Sequence, residues 1–156
     1  MIRLANPEAG KLFSTYVAYL RALYQVHQNN HWQVKGKNFY SQHLLFQRLY
    51  EAVASDTDTA AEKAVGLFGS ECMNLSEQAE LIKNISTKYA SESFDSSEDM
   101  YLLSSIAAEK NFTSLSDEIY SKLEQMENLT LGLDDLIMSL ASNSEERLYL
   151  LQQNLA

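Results

Sequence analysis

The residues best suited to chemistry lie between His31 and Glu62. That stretch holds two of the chain's three histidines, its only tryptophan, Trp32, and the carboxylates Asp58 and Glu62. Imidazole and carboxylate together form the ligand set of a borderline or hard transition metal such as iron, manganese or zinc. Asp58 and Glu62 stand four positions apart, the interval that puts two side chains on one helical face.

Helical geometry limits how these groups can meet. On a helix over residues 40 to 65, each residue advances about 100° around the axis. With His43 at zero, Gln47 falls near +40°, Asp58 near +60°, Glu51 near +80° and Glu62 near +100° on that roughly 100° step. Phe46, Val53, Thr57, Ala60 and Ala64 fall between about −100° and −40°, which makes them the core stripe and puts the polar set on its flank. His43 and Glu62 are 19 positions apart, roughly 28 Å along the axis, too far to share one ion. A shared site therefore needs a second, antiparallel copy of the helix, bringing His43 of one chain to Asp58 and Glu62 of another.

The elements that must hold these residues read as helices. One proline, at position 7, and five glycines leave little punctuation for strands and turns, so the 156 residues predict a single all-α domain, 1–156. Asn6-Pro7-Glu8 starts a first helix of about 25 residues, with the stripe Phe13, Tyr16, Val17, Leu20, Leu23, Tyr24, His27, His31. His27 has no acid near it in sequence and reads as a core or interface histidine with one hydrogen bond. Around Gly36, Trp32, Phe39 and Tyr40 are expected to pack back over a short link, making the next helix, about Ser41 to Val65 and closed by Gly66/Gly69, an antiparallel neighbour.

Residues 70 to 95 are polar, with a small amphipathic core at Leu75, Ala79, Leu81, Ile82 and Ile85. They read as a long crossover carrying a short helix, which lets the second and third long helices run parallel. Ser96-Ser97-Glu98-Asp99 opens the third, whose apolar side is Leu103, Ile106, Lys110, Leu115, Ile119, Leu123 and Met126. The fourth, about Leu133 to Asn154, shows a polar gap from Ser142 to Arg147 that predicts a face toward solvent or another subunit.

Other chemistries lack their motifs. There is no Gly-rich phosphate loop, no Gly-x-Ser-x-Gly, no Cys-x-x-Cys, no His-Glu-x-x-His and no Glu-x-x-His, the last being the mark of a di-iron centre inside a bundle. The single Cys72 forms no intrachain disulfide and reads as a structural thiol. Without a signal peptide or an apolar run of membrane-spanning length, the expected setting is a reducing cytoplasm with no membrane partner. Twenty-one acidic against 12 basic residues give a net charge of −9, which disfavours nonspecific attraction to nucleic acid phosphates.

The run His31-Trp32-x-Val34-x-Gly36-x-Asn38-Phe39, then His43, Leu49-Tyr50, Asp58-x-x-Ala61-Glu62 and Gly69, resembles the Dps family of mini-ferritins (DNA-binding proteins from starved cells). Asp135-Leu136 and Glu145-x-x-Leu148-Tyr149-x-Leu151 continue the resemblance, with Tyr where the family has Trp, so that it covers nearly the whole chain. It implies a ferritin-like four-helix bundle with a short extra helix in the connection between helices two and three. It also implies a homo-oligomer, a dodecameric cage built from two-fold dimers, with ferroxidase centres at the dimer interfaces. There His31 and His43 of one subunit and Asp58 and Glu62 of its partner would oxidise Fe(II), with hydrogen peroxide in preference to dioxygen, the ferric iron being stored in the cavity as protection against oxidative damage. Other divalent metals can enter such a ligand set. Asp134 and Asp135 resemble acids lining the pores through which iron enters, although acids at a helix start also complement its dipole. Trp32 would accept stray oxidising equivalents or simply pack.

Three departures qualify that expectation. Gln47 stands where the family has an acid, a neutral oxygen donor that weakens the second metal position. Leu44 and Arg48 replace acids that line the cavity in many relatives. The N-terminal arm offers only Arg3 and Lys11, and twelve copies multiply the −9, so DNA binding is not expected. The alternatives to a ferroxidase store are a cage acting mainly in metal sequestration or nucleic-acid binding, with weakened oxidation, and a helical bundle that uses no metal.

Overall fold

The computed structural model describes residues 6–94 and 97–155. Five helices follow one another: α1 (Pro7–Gln33), α2 (Phe39–Phe68), α3 (Leu75–Ser86), α4 (Met100–Gln125) and α5 (Leu131–Gln152). Single 3₁₀ turns at Ser70–Met73, Thr87–Tyr89 and Ser91–Ser93 complete the crossover, and no strand occurs among the described residues. The architecture is a ferritin-like four-helix bundle, with α3 the extra helix in the long connection.

Helix α1 begins where its sequence says it should. The Asn6 side chain accepts from the amides of Glu8 and Ala9, Pro7 fills the position whose amide would be orphaned, and Phe13, Tyr16, Val17, Leu20 and Leu23 are buried. The five-residue link from Val34 to Asn38 includes Gly36 at φ +100°, a value L side chains rarely adopt, and returns the chain as α2. Helix α2 is longer than the sequence reading by a few residues at both ends. It runs through Gly66 and stops at Gly69, whose φ of +95° no ordinary residue would hold cheaply.

Contacts between side chains fix the directions. Tyr24 meets Tyr50 and Phe13 meets Phe68, so α1 and α2 are antiparallel. Tyr16 bonds Ser116 and Asn30 bonds Tyr101, so α1 and α4 are antiparallel as well, and α2 and α4 run parallel as the crossover predicts. Helix α3 lies across the outside of α1. Its Ile82 packs on Ala18 and Ala22, and Gln78 donates to the Ser14 carbonyl and hydroxyl. Leu75 and Ala79, expected in its apolar face, are exposed, because α3 covers one helix rather than entering the core.

Two further expectations are corrected. On α4 the buried line runs through Leu102, Ile106, Glu109, Phe112, Ser116, Ile119 and Leu123, while Lys110 is exposed. Ile106, Ile119 and Leu123 are buried as expected, but Leu102 and Glu109 take the places expected for Leu103 and Lys110, and Ser116 that of Leu115, so a carboxylate sits in the line. On α5 the polar gap is not wholly outward: Ser144 and Arg147 are buried and point at Glu109, and Ser142, Asn143, Glu145 and Glu146 are exposed. Ser96, where α4 was expected to open, and the basic Arg3 lie outside the described residues. Asp99 precedes α4 without a side-chain capping bond.

Candidate metal-binding site

The last turn of α1 and the first turns of α2 bring His31 and His43 together. Their rings stack with centroids 3.7 Å apart and planes 17° from parallel. Each bonds the other's main chain: His31 Nδ1 to the His43 carbonyl at 2.7 Å, and His43 Nδ1 to the His31 carbonyl at 2.8 Å. A carbonyl only accepts, so Nδ1 carries the proton in both rings. The reason is local. The His31 carbonyl is among the last four of α1, which have no intrahelical partner, and His43 supplies one. The His43 carbonyl has a second lone pair beyond its helical bond, and His31 uses it.

With Nδ1 so occupied, Nε2 is the nitrogen of each ring left for another partner. A hydrogen bond from the far nitrogen that fixes tautomer and orientation is the usual support of a metal-ligating histidine. Phe39 stacks on His43 at 4.9 Å and Tyr50 stands edge-on to His31 at 5.3 Å, so the pair is held between aromatic rings. His31 is only 8% exposed, and His43 is half-buried.

Asp58 and Glu62 are exposed on α2, one helical turn apart, beside the buried stripe Val53, Ala60 and Ala64. The described residues of one chain contain no group of three or more His, Cys, Asp or Glu side chains placed to hold an ion. Gln47, one turn beyond His43, donates its Nε2–H to Glu51 at 3.0 Å. Of the three aromatics around the link, Phe39 packs back on His43, whereas Trp32, 64% exposed, and Tyr40, also exposed, do not.

Near the start of α5, Asp135 is exposed, whereas Asp134 is half-buried close to Tyr120. The Asp134 carboxylate is the chief cause that raises the Tyr120 phenol, and one Asp134 oxygen is sealed from solvent without a hydrogen-bond partner. Cys72 is half-buried, donates its S–H to the Gly69 carbonyl, and has its pKa raised by burial, as a structural thiol would.

One group of residues escaped the sequence reading. His27, expected to make one hydrogen bond, makes two: Nδ1 to Ser105 at 2.9 Å and Nε2 to Glu109 at 2.7 Å. A carboxylate only accepts, so His27 Nε2 donates to Glu109, while Ser105 accepts from Asn30 and meets His27 Nδ1. Glu109 in turn takes Arg147 Nε at 2.7 Å, and Arg147 Nη1 reaches Asp56 at 2.8 Å. Burial acts to raise the Glu109 carboxyl, but the His27 bond and the Arg147 charge outweigh it and hold the group below the ordinary range. The signal was present in the periodicity: Arg147 and Ser144 share a stripe with Leu140 and Leu151, and a polar residue on an apolar stripe is a buried one.

No family model matches the chain. General stress protein 20U of Bacillus subtilis is 29% identical over 140 residues, 87% of this chain and 89% of that protein. The DNA protection during starvation protein of Brevibacillus brevis is 35% identical over 69 residues, 44% of this chain and 46% of that protein. Among solved structures, a Dps protein from Bacillus brevis superposes with a TM-score of 0.76 at 19% identity, covering 95% of each chain, which is a likeness of fold. No helix among the described residues is long and apolar enough to cross a membrane. The full-length bundle, the partial sequence likeness and the His31-to-Glu62 pattern agree with one another: the chain has the fold of the Dps mini-ferritins and resembles them in sequence.

Proposed function

We propose that the chain, residues 1–156 acting as one domain, is the subunit of a cytoplasmic cage, a dodecamer of two-fold dimers, that oxidises Fe(II) and stores the ferric product. The observation that carries this reading is the His31–His43 pair, two rings each locked by an Nδ1–H bond to the other's main chain, with Nε2 the nitrogen left to face a metal. Asp58 and Glu62, exposed and one turn apart, supply the carboxylates when a second copy lies antiparallel across the first. One chain cannot close the site alone, because its histidines and its acids are separated along α2 by roughly 20 Å or more at 1.5 Å per residue.

Iron is the substrate in this reaction. The two imidazoles favour Fe(II), and the carboxylates favour the harder Fe(III) product, so the mixed set accommodates both ends of the oxidation. Two ferrous ions each give one electron to one hydrogen peroxide, whose O–O bond breaks to two hydroxides; dioxygen is the slower oxidant. His31 and His43 orient the metal, Asp58 and Glu62 balance its charge, and Asp135 attracts cations toward a pore, with Asp134 behind it.

Stopped-flow oxidation of Fe(II) by peroxide tests the proposal. The assembled protein accelerates it, and His31→Ala or Asp58→Ala reduces the acceleration about tenfold or more. An assembled cage with no acceleration would remove the enzymatic reading.

The second reading is a cage that mainly sequesters metal. It is favoured by the neutral Gln47, whose amide is tied to Glu51, in place of an acid beside the centre. Nucleic-acid binding is the weaker part of it: with a net charge of −9 per chain, a gel shift at low salt is expected to show no retardation.

A further inference from the structure

The interior of the bundle contains a second set of metal-type donors, distinct from the His31–His43 pair and beginning one turn earlier on α1 with His27. Asp56 from α2, Glu109 from α4, His27 from α1 and Ser144 from α5 form one connected network, each bundle helix contributing one side chain. Its middle is filled by the Arg147 guanidinium. Nε and Nη2 hold the two oxygens of Glu109 at 2.7 and 3.3 Å, and Nη1 holds Asp56 at 2.8 Å. His27 and Glu109 are wholly buried and the Arg147 side chain is 4% exposed.

Inward carboxylates from several helices are what ferritin-like bundles use when they keep a metal inside. Here the sequence lacks Glu-x-x-His, yet two carboxylates, an imidazole and a hydroxyl are present, donors that suit a hard or borderline divalent ion. Two carboxylates face one guanidinium there, and two carboxylates are the charge that one divalent ion balances. Access exists as well: a cleft of about 300 Å³, lined by Arg48, Ser55, Asp56, Asn143, Glu146 and Arg147, opens from the surface onto Asp56 and Arg147.

We propose that Arg147 is the resident cation of this interior site and excludes divalent metal from it, confining metal binding to the surface of the bundle. A guanidinium suits the task because it remains charged at every working pH, so the position is never vacated. Its planar fork also spans Asp56 and Glu109, holding the two carboxylates on opposite sides of itself rather than around one point.

The test uses Co²⁺ alone as probe, in a protein whose His31 and His43 are both alanine, so that the stacked pair contributes no signal and the result is independent of the ferroxidase reading. In that background Arg147→Ala is expected to show a Co²⁺-dependent visible absorption band. Its Tm should rise about 5 °C or more at roughly hundredfold excess over the dissociation constant. The parent should show neither, and adding Glu109→Gln should abolish both. A variant that folds yet gains no band and no Tm shift overturns the proposal, as does a gain that survives Glu109→Gln. Where Arg147→Ala folds only with help, refolding with and without Co²⁺ decides. Recovery with the ion supports the proposal. No recovery with it, while Arg147→Met/Glu109→Gln folds unaided, overturns the proposal.

Discussion

His31 and His43 each donate Nδ1–H to the other's backbone carbonyl across the α1–α2 corner, with their rings 3.7 Å apart. Neither ring can turn without releasing the other, so the pair acts as one unit. We expect His31→Ala and His43→Ala each to lower Fe(II) oxidation about 10- to 100-fold, the range seen when metal-site support is lost. The double variant should be little worse than either single one. Additive losses in stopped-flow rates would show that the rings act separately.

Asp58 and Glu62 are exposed on α2, and no group of three metal-type ligands forms within the described residues of one chain. An inter-subunit centre makes a definite statement about mixtures. Inactive His31→Ala and inactive Asp58→Ala proteins, unfolded and refolded together, should regain activity, because a mixed dimer carries one centre with both histidines and both acids intact. A site completed within one chain gives no regain.

Gln47 donates to Glu51 and offers a neutral oxygen where a carboxylate would hold a second cation more strongly. Gln47→Asp is expected to raise the oxidation rate, by about tenfold if the second metal position limits turnover. Metal titration followed by calorimetry should then show a tighter second binding step. An unchanged rate would mean that Gln47 does not limit the centre.

Glu109 is wholly buried and bonded to His27 and Arg147. Removing one partner from a buried ion pair leaves the other uncompensated, so Glu109→Gln should cost about 3–5 kcal/mol. The resulting fall in Tm is roughly 2–4 °C per kcal/mol for a chain of this size. The pH dependence carries the same sign. With its folded-state pKa lowered, Glu109 contributes stability that is full above the ordinary glutamate value of about 4.3 and is lost as pH falls through the lower folded value. Thermal melts below about pH 4.3 should therefore show a shallower further loss in Glu109→Gln than in the natural chain.

Local signals were enough for the helices and for the family resemblance. Asn6-Pro7 marks the start of α1, Gly69 the end of α2, and the spacing of His31, His43, Asp58 and Glu62 carries the resemblance, because capping, φ preference and helical period depend on a few adjacent residues. Packing partners do not. Leu75 and Ala79 are apolar at helical spacing yet exposed, since the face a short helix buries depends on what lies beneath it.

By itself, then, the sequence determined an all-α bundle, its crossover and the residue types of a candidate metal site. Only the tertiary structure decided that His31 and His43 lock each other and that Arg147 turns inward to Glu109 and Asp56. Those contacts join residues 12, 38 and 91 positions apart. Helical period tells which side of a helix a residue occupies, whereas hydrogen-bond partners at such separations depend on how the helices dock.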